Sequence, residues 1–510
     1  MSVKIGKNVI EILTTGMYTN PLFMYREYIQ NSADQIDTAV EQGIFKSRND
    51  GEILIRIEQR ERTVEILDNA TGVKAEDAWS TLSSIAASDK DRKKKKGFRG
   101  IGRLGGLAYC DELIFETSAK GEKTKSILKW DSRQLRSILT DQTVKKDAHE
   151  VVSDVTDFKQ ENTEDVDSHY FRVKLNNVTN HEILDIADVR DYLSMVAPVP
   201  ISNHFMFRSQ IYEKFREQNI DIDEYNIYVN TEEVLKPYSS RIYSQSNGTK
   251  VVQDEILEVK FLDLKDGNEL LAFGWYGVSS AQKQMPSCNL ARGIRIRKGN
   301  IQIGEDDALQ KLWTDRRFHF YFIGELHAIH PDLVPNGRRD YFDEHKKLKE
   351  FEYELKRFFN NDLVWITRTA SSINAAQKTI DRHLELEDEF EEKTKIGFVS
   401  PKEHEELQKK IERSKEDAEK ARKELVKIQK KAEDNPVVEK IFKKVVKEVK
   451  SKETKPTNTP NGKPAWQTDK LSKLSRKERK LVSEIYEIVR NVLPPEIAKN
   501  LITKIEEKYK

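Results

Sequence analysis

In the stretch "REYIQNSADQID", Glu27, Asn31 and Asp34 are spaced four and three residues apart. In a helix that spacing puts all three on one face. Tyr28, Ile29, Ala33 and Ile36 supply the apolar residues that an amphipathic helix needs. The polar strip is therefore either a solvated face or a constellation directed into a pocket. A second stretch, "ILDNATGV", carries Asp68 where an alternating strand opens into a loop, with Gly72 four residues on. A third, "GFRGIGRLGG", has Gly97, Gly100 and Gly102 ahead of a helical run. Alone, each is weak, because a strand-end Asp often marks a turn and spaced glycines often open a helix. The glycines lack the Lys-Ser/Thr of a Walker A loop and do not open a βαβ unit.

Together the three stretches make coherent chemistry. Asn31 offers a side-chain oxygen, a hard ligand suited to Mg²⁺ on a triphosphate. Glu27, one turn earlier, is placed to hold a water in line with the terminal phosphorus and to accept its proton. Asp68 can accept a hydrogen bond from an exocyclic amine, which selects adenine over guanine. The glycines let backbone N–H groups approach phosphates, and a following helix N-terminus adds its dipole.

Such a site needs a helix, a strand end and a glycine loop within one domain. At 510 residues the chain is too long for one core, and roughly three or four domains are expected. Residues 1–45 read as helical with a break at Asn20-Pro21, and "EILIRIEQRERTVEILDNA" as a β-hairpin over 52–68. A helix over 74–86 and a basic, glycine-rich segment over 88–106 follow. A hairpin in "DELIFETSAKGEKTKSILKWD", a strand in "HYFRVKLNNV" and a helix stopped by Pro198 and Pro200 complete a first domain, 1–200. A second α+β unit, 201–350, holds the strand-like "EYNIYVN", "LEVKFLDL", "ELLAFGWYGV", "GIRIRKGNIQIG" and "FHFYFIGELHAI".

From 351 to 435 the chain is helical and charged. Leu407, Ile411, Ser414, Ala418, Ala421, Leu425 and Ile428 recur alternately four and three apart, as a coiled-coil seam or an intramolecular helical hairpin would require. Residues 436–469 read as a flexible linker region around "SKETKPTNTPNGKPAW", and 470–510 as a C-terminal helical segment interrupted by "LPPE".

The motifs resemble those of the GHKL ATPases, the family of gyrase B, heat-shock-protein-90, histidine kinases, MutL and MORC proteins. "MYTNPLFMYREYIQNSADQID" is similar to the first helices of the heat-shock-protein-90 type, including Tyr18, Thr19, Asn20, the Arg26-Glu27 pair, Asn31 and Asp34. "SSIAASDK" looks like the segment entering the ATP lid, with Ser88 in the matching place, and "GFRGIGRLGGLAYCDEL" like the lid end and the helix after it. "DLVPNGRRDYF" is similar to the transducer segment bearing a catalytic arginine, which falls on Arg339, with Asn336 and Asp340 agreeing. Arg338, and more weakly Arg297 and Lys298, compete for that place.

The resemblance implies a Bergerat-type ATP-binding sandwich of helices on an antiparallel or mixed sheet, then an α+β transducer, with ATP and Mg²⁺ as cofactors. Three departures stand out. Ala70 occupies the place of the first glycine in the family's Asp-x-Gly-x-Gly loop. Phe171 in "HYFRVKL" stands where a threonine near the adenine is usual. The lid "DKDRKKKK", with Lys93–Lys96, is short.

The resemblance further implies an ATP-dependent homodimeric clamp. No phospho-acceptor helix precedes the ATP domain, and no strand-cleavage, endonuclease or chaperone-type C-terminal domain is evident, so the arrangement most resembles MORC-like proteins. Nucleic acid is one expected partner, because residues 421–510 hold 24 basic and 13 acidic side chains, although a solvated helix surface would show the same excess. A protein client reached through the coiled coil, as for a chaperone-like ATPase, and a nucleotide-binding scaffold with little turnover are the alternatives. The formal net charge of +1 favours no partner for the whole chain. Two cysteines, Cys110 and Cys288, the lack of a signal-like N-terminus and the lack of a run of ~18 apolar residues point to the cytoplasm, away from membranes.

Overall fold

The computed structural model describes residues 5–14, 20–85, 102–432, 435–446 and 465–510. The chain divides into two compact units: Met1–Ser279 with Lys283–Val364, and Ser280–Gln282 with Trp365–Lys510.

The first unit holds two sheets. The strands of the first are β1 (Glu52–Glu58), β2 (Thr63–Asp68), β3 (Glu112–Ser118), β4 (Lys125–Asp131), β5 (Thr156–Glu161), β6 (Tyr170–Asn176), β7 (Asn226–Val229) and β8 (Glu232–Glu233). Their order across the sheet is β5-β4-β3-β6-β2-β1-β7-β8. The β1 and β7 strands run parallel, while β1 and β2 form the expected antiparallel hairpin. Alternation decides which face is covered. Ile53, Ile55, Ile57, Val64 and Ile66 are buried, whereas the residues between them are at least partly exposed.

Helices of the first unit are α1 (Asn8–Thr14), α2 (Phe23–Glu41), α3 (Ala75–Ser83), α4 (Ser132–Thr140), α5 (Ala148–Val155), α6 (Ile186–Val196), α7 (Arg208–Glu217) and α8 (Lys346–Phe358). In α2, Tyr25, Tyr28, Ile29, Ala33 and Ile36 join the core with the inward strand residues. Pro21 precedes this helix, and Asn20 Oδ1 accepts the Leu22 N–H at 2.9 Å, satisfying a donor at its start. Gly43, at φ +73°, donates to the Val40 carbonyl and ends the helical run.

The second sheet comprises β9 (Arg241–Ser246), β10 (Thr249–Asp266), β11 (Glu269–Ser279), β12 (Gly293–Lys298), β13 (Ile301–Gln302) and β14 (Ile323–Ala328), in the order β13-β12-β14-β11-β10-β9. Ile211 and Phe215 of α7 pack with Phe273 and Trp275 beneath it. Thus "EYNIYVN", expected in the second unit of the sequence reading, supplies β7 of the first sheet. Its four-residue apolar alternation fits either sheet, and only the parallel pairing with β1 decides. The helical run expected after Gly102 is a 3-10 helix, Gly102–Ala108.

The other unit is helical: α9 (Val364–Ile396), α10 (Pro401–Ala432), α11 (Pro436–Val445), α12 (Arg476–Val492) and α13 (Pro495–Tyr509). His383 Nδ1 meets Ser414 Oγ at 2.9 Å and Lys393 pairs with Glu403 at 2.9 Å, so α9 and α10 fold back on each other as a hairpin. Leu407, Ala418, Ala421 and Leu425 of the seam are buried. Asn435 caps α11 through the N–H groups of Val437 and Val438, with Pro436 at its first turn, so the region read as linker opens with a helix. Most of "SKETKPTNTPNGKPAW" lies outside the described residues. Among the described residues, no helix is long and apolar enough to cross a membrane.

Candidate functional site

Asp68 is the last residue of β2, registered between Ile53 of β1 and Phe171 of β6. It is only 2% exposed. Ser32, on α2, donates its hydroxyl to Asp68 Oδ2 at 2.7 Å, and the Ala70 N–H donates to Oδ1 at 3.1 Å. Burial pushes the Asp68 carboxyl up to about 6, and those two hydrogen bonds pull in the opposite direction. Ser32 was not singled out in the sequence, because it lies off the Glu27–Asn31–Asp34 strip. Only the packing of α2 across β2 reveals it.

The loop after Asp68 is held tightly. Gly72 takes φ +65°, and a Cβ there would run into the Ser118 carbonyl oxygen, so both conformation and space require glycine. Ala70 has no positive φ, so alanine in place of the family's glycine imposes no strain. Its carbonyl meets His169 Nδ1 at 2.6 Å. A threonine does reach this loop, but from β3: Thr117 Oγ1 accepts the Val73 N–H at 2.9 Å and donates to the Tyr170 carbonyl at 2.8 Å. Phe171 instead packs on Phe115, with ring centroids 6.0 Å apart.

Glu27 and Asp34 are both buried, and Asn31 is half-buried one turn beyond Glu27. A Cβ on Gly102 would collide with Glu27 Oε2, so the start of the 3-10 helix lies directly against the carboxylate. Tyr28 fixes that helix by donating to the Arg103 carbonyl at 2.9 Å and accepting the Gly106 N–H at 3.1 Å. Ser88, Gly97, Gly100 and Lys93–Lys96 lie outside the described residues.

Arg339 lies in the turn after β14, far along the chain. Its Nε is 3.7 Å from Glu27 Oε1, and Arg26 Nη2 is 3.6 Å from the same oxygen. Arg26 also donates to the Arg338 carbonyl at 3.2 Å, across 312 residues of sequence. Arg339 is buried while the Arg338 side chain is exposed. The turn is built for this: Arg339 sits at φ +55°, a conformation that costs a non-glycine residue about 1 kcal/mol. It is held by the Arg339 N–H to the Asn336 carbonyl, 3.1 Å, the Gly304 N–H to the Arg339 carbonyl, 2.8 Å, and Asn336 Nδ2 to Asp340, 2.6 Å. Arg297 and Lys298 are engaged elsewhere, with Glu325 at 2.6 Å and the His330 carbonyl at 2.8 Å.

Glu27 Oε1 is buried and has no hydrogen-bond donor among the described residues. A carboxylate so placed retains the capacity to accept a proton or a water hydrogen, and the adjacent guanidinium groups suit an anion.

Residues 24–163 match the family described as histidine kinase-, DNA gyrase B-, and HSP90-like ATPase. This stretch is similar to the ATP-binding domain of the GHKL ATPases. It contains α2, Asp68, Gly72 and Gly102, whereas Arg339 lies beyond the matched residues. Among curated proteins, the chain is similar to Chaperone protein HtpG of Clostridium perfringens (strain 13 / Type A), 29% identical over 25% of this chain and 22% of the relative. Chaperone protein HtpG of Burkholderia cenocepacia (strain HI2424) is 26% identical over 25% of this chain and 23% of its own length. That of Psychrobacter cryohalolentis is 25% identical over 34% and 28%. The chain thus spans about a quarter of the length of the curated relatives it matches.

Proposed function

We propose that this chain is a Mg²⁺-dependent ATPase acting as an ATP-gated dimeric clamp, with nucleic acid as its client. The observation that carries the ATPase reading is the convergence of Arg339 on Glu27, a carboxylate within the GHKL domain, at 3.7 Å. In this reading Asp68, steadied by Ser32 and Ala70, accepts the exocyclic amine of adenine. Gly72, Ser88, Gly97, Gly100 and Gly102 bring backbone to the nucleotide, and Asp34 lines it. Glu27 holds the attacking water and takes its proton, with Arg26 and Arg339 orienting the carboxylate. The Arg339 guanidinium also neutralises charge gathering on the terminal phosphate oxygens. Mg²⁺ held by Asn31 and phosphate oxygens would supply further charge neutralisation. Asn31, half-buried one turn beyond Glu27, carries an amide oxygen of the hard type that fits such a group.

Residues 201–350 act here as transducer, and the helical residues beyond 350 as an arm holding two protomers in the cytoplasm. ATP closes the clamp by contacting the closed state more favourably than the open one. The excess of 24 basic over 13 acidic residues in 421–510 supports nucleic acid as the client. A protein client is the second reading, supported by the name Chaperone protein HtpG that the relatives carry.

Two measurements test the proposal. The full chain should hydrolyse ATP only with Mg²⁺, and a non-hydrolysable ATP analogue should convert it to a compact dimer in light and X-ray scattering. Absence of both would refute the clamp. Retention on DNA should weaken steeply with salt and be lost on deleting 436–510, since counterion release demands the first and the basic excess the second. Unchanged or absent DNA binding would favour the protein client.

A further inference from the structure

A pocket of about 200 Å³ in the first unit lies beside the start of α2 and contains none of the proposed nucleotide-binding or catalytic residues. It is smaller than the roughly 300–1,000 Å³ of sites for drug-sized ligands, so its occupant must be small. Phe23, Met195 and Val196 form an apolar wall. Arg295 and Gln302, 5% and 3% exposed, line the same pocket. Each is fixed by one hydrogen bond, Arg295 Nη2 to the Leu290 carbonyl at 2.7 Å and Gln302 Nε2 to the Gly304 carbonyl at 3.0 Å. Each also has a buried atom with no partner among the described residues, Arg295 Nε and Gln302 Oε1, and the Tyr192 hydroxyl is a third. Buried polar atoms are rarely left unsatisfied, so three in residues lining one small pocket leave its wall with unmet polar capacity.

The charges in the pocket are layered. The pocket holds two guanidinium groups: Arg295, buried, and Arg292, half-buried, whose Nη2 lies 3.6 Å from Asp306 Oδ2. The carboxylates of Asp191, Glu305 and Asp306 also line it, and Asp191 and Glu305 are exposed. With Arg292 paired to Asp306, Asp191 and Glu305 remain to repel a dianion, and a simple cation would meet the Arg295 guanidinium. A molecule with a negative head, a small apolar body and a positive group suits both layers.

We propose that this pocket binds a free amino acid or a zwitterion of that size, its carboxylate on Arg295 and its ammonium toward Asp191, Glu305 and Asp306. The occupant would lie against two supports of Arg339. Gly304, in the wall, donates to the Arg339 carbonyl at 2.8 Å. Phe23, also in the lining, carries the Arg26 guanidinium 4.4 Å from its ring centroid, and Arg26 donates to the Arg338 carbonyl. Binding therefore biases the position of Arg339 relative to Glu27. This regulatory half rests on the ATPase reading; binding itself does not.

The test is a thermal shift of the full chain without nucleotide, using each common L-amino acid as the probe. At least one should raise Tm by about 2 °C when present near ten times its Kd. The decarboxylated amine of that amino acid should give no shift. Arg295→Met should abolish the shift while leaving the shift produced by ADP intact. Glu305→Lys, an exposed change that spares folding, should weaken binding by about fivefold or more. If no amino acid shifts the wild type, or if the shift survives both substitutions, the site is refuted. If binding occurs but the ATP turnover rate does not change with it, the coupling to Arg339 is refuted and the site stands. If no ATP turnover exists at all, the ATPase reading fails while the thermal shift still decides the site.

Discussion

Glu325 and Glu27 are buried carboxylates of the same unit, held in opposite ways. Glu325, on β14, accepts Arg297 Nε at 2.6 Å, the Tyr238 hydroxyl at 3.1 Å and Lys236 at 2.9 Å, and it meets His327 Nε2 at 3.2 Å. Its pKa lies well below the ordinary carboxylate value: burial opposes the charge, but Arg297 and Lys236 outweigh it. Glu27 has its nearest guanidinium nitrogens at 3.6 and 3.7 Å and an oxygen with no hydrogen bond among the described residues. Asp68 stands between the two, with two neutral donors and a carboxyl pushed up to about 6. A carboxylate saturated by cations holds structure. One with unused acceptor capacity is equipped to meet a substrate.

The comparison breaks most visibly at Glu325. Glu325→Ala leaves Lys236 and Arg297 buried without their shared anion, so unfolding in denaturant should show a loss of about 3–5 kcal/mol. A loss under 1 kcal/mol would mean that the cluster is not a structural joint. Asp68→Asn should cost little stability but weaken adenine nucleotide binding about 10- to 100-fold, the worth of a hydrogen bond to a charged group. Equal binding by calorimetry would remove Asp68 from the site.

Acidity sharpens the same contrast. The folded value of Asp68, about 6, lies above its ordinary 3.8, so the folded state holds this proton longer than the unfolded state does. The contribution of Asp68 to stability therefore falls as pH rises from about 4 to about 6 and is constant above that. In the proposed reading, base recognition uses the ionised form and runs the other way. Adenosine, which brings no titrating phosphate, should bind about tenfold more weakly at pH 5 than at pH 7. The smallest effect is expected for Ala70→Gly. Because Ala70 needs no positive φ, glycine should destabilise by about 0.5–1 kcal/mol through the unfolded chain and leave adenosine affinity unchanged. A gain in stability on chemical denaturation would show that the loop wants the family's glycine.

Much of the candidate site was legible because each piece lies on one local element. Glu27, Asn31 and Asp34 follow from helix spacing, and Asp68 and Gly72 from a strand running into a turn. What was not legible depends on pairing between distant segments. The assignment of "EYNIYVN" to the first sheet rests on a parallel contact with β1, some of whose partners are Glu52 and Asn226. The bond from Ser32 to Asp68 depends on how α2 lies across β2. The Lys236–Arg297–Glu325 cluster joins residues whose separate sequence contexts look like ordinary charged strand positions. The helix at Pro436–Val445 was hidden by its neighbours, since a lysine-rich, proline-rich stretch follows it directly.

The central claim is that the buried acceptor capacity of Glu27 serves hydrolysis while Asp68 serves binding. Its most direct test is ATP turnover and nucleotide affinity measured together in the wild type and in Glu27→Ala. Turnover should fall by about 10²–10⁴-fold, the usual contribution of a general base, with nucleotide affinity kept within a few-fold. Turnover at the wild-type rate in Glu27→Ala would contradict the account.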